Sequence, residues 1–79
     1  MRPQDVRDHI RTEPFRPFRV TLTDGRTYDV VHPELAMVGH SIVAIGLPSR
    51  NAAEPVFDRL VTVSLLHIMQ IEPIVPASS

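Results

Sequence analysis

The chain has no cysteine, no tryptophan and no lysine, and its 79 residues include only three glycines, three phenylalanines and one tyrosine. Without cysteine there is no disulfide framework and no thiolate metal site, which fits a reducing compartment. Gly25, Gly39 and Gly46 are too scattered to form a phosphate-cradling loop, and Ser41, Ser49 and Ser64 lack the surroundings of a nucleophile elbow. With aromatics at 5% of the chain, a surface that stacks several bases is not available. No apolar stretch is long enough for a signal peptide or a membrane span, so the expected location is cytoplasmic and no membrane partner is expected. All eight basic residues are arginine, set against nine acids for a net charge of −1, so the strong basic surplus of a nucleic-acid binder is missing.

What is present reads as one small domain over residues 1 to 79. A chain of this length buries only about 60% of its unfolded surface. Self-association is the stabiliser left open to it, and a homo-oligomer is expected. The charge is uneven, with Arg2, Arg7, Arg11, Arg16, Arg19 and Arg26 in the first third and most of the acids further on.

Pro3, followed by Val6 and Ile10 at helical spacing, predicts a short α-helix over about residues 3 to 12. Pro14 and Pro17 end it. From Phe18 the period becomes two. A two-residue loop at Asp24-Gly25 would mix apolar and polar side chains on each face. A three-residue loop, with Gly25 left-handed, pairs Phe18 with Val30, Val20 with Tyr28 and Leu22 with Arg26, and sets Arg19 opposite Asp29. The second register is therefore expected.

His32-Pro33-Glu34 interrupts the next strand, because Pro33 has no N–H for a ladder. Leu35 to Val38 and Ser41 to Leu47 read as two strands joined at Gly39-His40, with Gly39 leading a type II′ turn. The apolar run from Ile42 to Ile45 predicts a central strand covered on both faces. Residues 48 to 55 read as a mobile loop. Val56 to Leu66 reads as a long strand with Phe57, Val61, Val63 and Leu65 inward, while Leu60 and Leu66 break its polar face and are candidates to meet the helix or a partner subunit. A last strand around Ile68 to Ile71 stops at Pro73, leaving 74 to 79 as a tail. The fold class expected is mainly β, a small SH3-like or Sm-like barrel of about five strands with a short N-terminal helix. A two-layer α+β sheet is the competing architecture.

In segment order, the helix, the strand after Pro17, Leu22-Thr23-Asp24-Gly25-Arg26 and the closing Leu66-His67-Ile68 to Pro73 resemble the bacterial Sm-like RNA chaperone family of the Hfq type. Leu66 stands where that family has a lysine. The resemblance implies a barrel that assembles into a ring and contacts RNA. The repeated Pro-Phe-Arg at 14 to 19, Asp24-Gly25-Arg26, His32-Pro33-Glu34, Leu65-Leu66-His67-Ile68 and Ile71-Glu72-Pro73 are also similar to a group of short bacterial proteins of unassigned function.

The candidate interaction surface is Phe15, Arg16, Arg19, Arg26 and His67. Together with Arg11, the arginines would form a phosphate-binding edge, whereas pairing of Arg19 with Asp29 would leave only solvated charges. Phe15, between two prolines, is either a stacking platform or the residue that pins the helix. His32, Glu34 and His40 match no metal-ligand spacing, so no metal or other cofactor is expected. Asp58, Ser64 and His67 do not make a triad, since Asp58 and Ser64 lie about 20 Å apart along one strand. The expected function is therefore a non-enzymatic binding or assembly module that associates with protein or with itself. The alternative is an RNA-binding ring of Sm-like subunits.

Overall fold

Nine residues, Pro3–Arg11, form α1 in the computed structural model, which describes residues 1 to 48 and 57 to 74. Pro3 opens the helix, and the Asp5 carboxylate accepts the Arg2 backbone N–H at 3.2 Å, satisfying a donor that the first turn leaves over. Val6 is buried and Ile10 packs beside it on the core, so the narrow apolar stripe docks α1 against the third strand. The chain then passes through a cis Glu13–Pro14 bond into β1, Phe18–Leu22.

β1 pairs with β2, Thr27–Val30, in the expected register: Phe18 with Val30, Arg19 with Asp29, Val20 with Tyr28 and Thr21 with Thr27. Leu22 N–H reaches Arg26 O at 2.8 Å and Gly25 N–H reaches Leu22 O at 2.9 Å, closing the three-residue loop with Gly25 at φ +93°. Phe18, Val20 and Leu22 all face inward and are buried.

Pro33–Leu35 is a single 3₁₀ turn, which divides what would be one long second strand into β2 and β3, Ala36–Val38. β4, Ile42–Pro48, and β5, Phe57–Ser64, follow; a second 3₁₀ turn, Leu65–His67, leads to β6, Ile68–Pro73. The strands form two antiparallel sheets, β2-β1-β6 and β3-β4-β5. Their inner faces share one core, in which Val6, Phe18, Val20, Val30, Val43 and Ile45 are fully enclosed. Thr23 N–H donates to His67 O at 2.8 Å, tying the first hairpin to the second 3₁₀ turn.

The protein is thus mainly β with one short N-terminal helix. The barrel expectation needs correction: among the described residues there are six strands rather than about five, no strand pairing closes the two sheets into a barrel, and the strands do not form one sheet with a helix laid across it. Pro33 is the cause, since it cannot donate to a ladder and its fixed φ starts the 3₁₀ turn at which the sheet divides.

Three local expectations also change. Gly39 is not left-handed; its N–H bonds to Ile42 O at 2.8 Å, so His40 and Ser41 make the reversal and there is no type II′ turn. β4 is central, but only one of its faces is covered, and Ile42 is exposed on the other. Phe57 does not point inward. The pairing slips by one residue between Leu47↔Arg59 and Pro48↔Phe57, which turns Phe57 to the same side as Leu60. The mobile loop expected over residues 48 to 55 lies, beyond Pro48, outside the described residues, as does the tail after Ile74.

Candidate interaction surface

The five residues singled out from the sequence fall in three places. Phe15 is half-buried, edge-on to Phe18 with ring centroids 6.1 Å apart, and it packs on the core. Its ring packs the connection after α1 onto the core. Arg16 is exposed beside a narrow cleft of about 90 Å³ that it shares with His9, Pro17 and Pro73.

Arg19 stands on the outer face of the β2-β1-β6 sheet between two acids. Its guanidinium donates to Asp29 Oδ1 at 2.8 Å and to Oδ2 at 3.2 Å, and Glu72 is its neighbour on β6. The bond to Asp29 raises the pKa of Arg19 further, so its charge is fixed and already matched. Arg26 is also engaged, donating to Asp24 Oδ2 at 2.7 Å. The Arg26 backbone N–H donates to Asp24 Oδ1 at 3.0 Å, and this bond is the largest cause holding the Asp24 carboxyl below its ordinary pKa.

Arg26 and His67 both line a cleft of about 360 Å³ that also carries Asp24, Thr62 and Ser64. Ser64 Oγ accepts the Leu66 N–H at 3.2 Å and caps the second 3₁₀ turn, a structural use of the hydroxyl. Among the described residues, no three side chains of the metal-ligating types converge, and His32, Glu34 and His40 are all exposed. No helix of the described residues is long and apolar enough to cross a membrane.

A different surface stands out once both sheets are compared from outside. The outer face of β2-β1-β6 is polar, with Arg19, Thr21, Asp29, Gln70 and Glu72. That of β3-β4-β5 is apolar: Met37 is 70% exposed, Leu60 58% and Phe57 52%, with Ile42 and Ala44 between them. An apolar groove of about 280 Å³ runs across it, lined by Leu35, Met37, Ala44, Gly46, Phe57 and Leu60, with Glu34 its one charged wall among the described residues. Gly46 forms the floor. A Cβ there would lie 3.0 Å from Phe57 Cβ and 3.3 Å from Leu35 Cδ2. Leu66, 85% exposed, and Met69, 58% exposed, project beyond the far end of β5.

Sequence reasoning found part of this surface, since Leu60 and Leu66 were legible as breaks in a polar face. It missed Met37, which sits in a strand too short to show alternation, and Phe57, which the bulge turns over. Sequence reasoning also missed a cleft of about 600 Å³ between the start of α1 and the Gly39-His40 corner; Arg2, Arg7 and His40 stand on its walls. Comparison with protein-family models, with curated proteins and with solved structures found no match.

Proposed function

We propose that this chain is a non-enzymatic binding and assembly module that associates with protein, copies of itself first, through the β3-β4-β5 sheet. The observation that carries the reading is the apolar outer face of that sheet, next to an eight-residue strand, β5, whose outer edge pairs with nothing among the described residues. Exposed apolar groups gathered on one face, with a polar sheet behind them, mark a contact surface. The two curled sheets, with a 3₁₀ turn joining β5 to β6, are read as an open form of the SH3-like or Sm-like barrel, and the lack of cysteine supports a reducing, cytoplasmic setting.

The RNA-binding alternative draws less support. Arg19 and Arg26 are both paired with acids, which leaves Arg16 alone of the three to meet a phosphate. The two readings separate in solution. An assembly module gains stability as its concentration rises and keeps that gain when Arg16 is changed to Ala. RNA binding through arginine would instead weaken steeply with salt and fall in the same variant. A midpoint of unfolding that does not move with protein concentration would refute the assembly reading.

A further inference from the structure

Two elements wall the cleft of about 600 Å³ at the start of α1. Arg7 lies one helical turn beyond Pro3 and Gln4 on the same face of α1, and Val38, Gly39 and His40 supply the other wall from the corner between β3 and β4. Val6, fully buried, docks α1 against β3 and so brings the two walls together.

The charge of these walls has one sign. Among the described residues Arg2, Arg7 and His40 are the titratable groups that line the cleft and no carboxylate does, although acids outnumber arginines in the chain. Asp5 is close by, where it accepts the Arg2 backbone N–H at 3.2 Å and lies 3.9 Å from the Arg2 guanidinium, the outer limit of an ion pair. Arg7 has neither a side-chain hydrogen bond nor an ion pair among the described residues, whereas Arg19 and Arg26 are each held by an aspartate, at 2.8 and 2.7 Å. Arg7 is also partly buried, so it is a guanidinium drawn towards the fold with its donors uncommitted to protein. The helix terminus adds little of its own: Pro3 has no N–H, and Asp5 N–H already bonds to Arg2 O at 3.0 Å. The case therefore stands on the side chains.

The volume falls within the range of about 300 to 1,000 Å³ that accommodates small molecules. Pro3 and Val38 give the cleft an apolar part beside its basic one. A phosphate monoester carries about 1.5 to 2 negative charges near neutral pH and offers three acceptor oxygens, which suits planar guanidinium forks better than a singly charged carboxylate does. We propose that this cleft binds a small phosphorylated molecule, with Arg7 and Arg2 donating to its phosphate, His40 adding a ring N–H, and Pro3 and Val38 taking its organic part. The site uses nothing on the outer face of β3-β4-β5, so it stands or falls independently of the assembly reading.

Titration of the isotope-labelled full chain with adenosine monophosphate and with glucose phosphate, up to about 10 mM and followed by amide NMR at constant ionic strength, tests this. At least one ester should give saturable shifts centred on residues 4 to 7 and 38 to 40, and sulfate at the same ionic strength should not. Arg7→Gln should leave the rest of the spectrum in place and weaken binding at least about tenfold, the effect of losing a charge-assisted bond. Arg11→Gln, in the last turn of the same helix and outside the cleft, should leave binding unchanged. If Arg7→Gln disturbs the whole spectrum, Arg2→Gln, at an exposed position before the helix, decides by the same tenfold criterion. Undiminished binding in the deciding variant, sulfate bound as well as either ester, or shifts centred on Arg16 or Arg26 would overturn the site. So would the lack of any saturable shift, and binding of an RNA oligonucleotide alone would overturn it in favour of the RNA reading.

Discussion

Gly25→Val isolates the cost of a single backbone torsion. Gly25 holds φ at +93°, and a Cβ placed there meets nothing within 4 Å, so a side chain neither clashes nor packs. The loop cannot relax to negative φ without giving up Leu22 N–H to Arg26 O and Gly25 N–H to Leu22 O. A left-handed conformation costs an L-residue about 1 to 2 kcal/mol. Against that, losing the freedom of glycine in the unfolded chain stabilises by about 0.4 to 1 kcal/mol. Alanine should therefore lose about 0.5 to 1 kcal/mol. Valine, β-branched and at the upper end of the strain range, should lose about 2 kcal/mol. Asparagine, which tolerates this region, should lose least of the three. Gly39→Ala is the control: its φ is not positive and its nearest neighbours, Ile42 Cγ1 and O, are at an ordinary 3.5 Å. It should be neutral or more stable by up to about 1 kcal/mol. Urea unfolding at one low protein concentration measures all four, and about 2 kcal/mol corresponds to roughly 10 °C in Tm for a domain of this size. If Gly25→Val unfolds within about 0.5 kcal/mol of wild type, the three-residue loop and the register built on it are wrong.

Ile45, fully enclosed at the centre of β4, should lose about 0.5 to 1.5 kcal/mol as Val and about 2 to 5 as Ala in the same unfolding assay; an alanine variant as stable as wild type would contradict the shared core. Gly46→Ala places a methyl group against Phe57 and Leu35, should cost about 1 to 3 kcal/mol, and should move the Phe57 ring resonances in an NMR spectrum. The folded pKa of Asp24 is depressed, so its contribution to stability is present above the ordinary value of about 3.9 and is lost as pH falls through the lower folded pKa. A carboxyl titration followed by NMR should have its midpoint below about 3.9, and a midpoint at or above that value would mean the Arg26 N–H bond is not formed. The coupling between Arg19 and Asp29, measured by a double-mutant cycle with Arg19→Met and Asp29→Asn, should be favourable and should shrink when salt is raised, because both side chains are substantially exposed.

Elements governed by local chemistry were legible in the sequence. Pro3, Val6 and Ile10 gave the helix to within a residue, and the alternation on either side of Asp24-Gly25 gave the hairpin register, including Arg19 opposite Asp29. There the side-chain period and the glycine torsion point to one pairing and exclude the other. What stayed hidden depends on relations between strands. Nothing near Phe57 signals a bulge, because the extra residue is defined by where Leu47 and Pro48 fall on the partner strand. The run from Ile42 to Ile45 looks alike whether one or both faces are covered. Glycine followed by histidine suits a type II′ turn as a pair, but the pairing of Val38 with Val43 moves the reversal one residue on. The candidate surface inherits these failures: Arg19 and Arg26 were visible as charges while their acidic partners decide their availability, and the groove was invisible because Met37, Gly46 and Phe57 come from three strands.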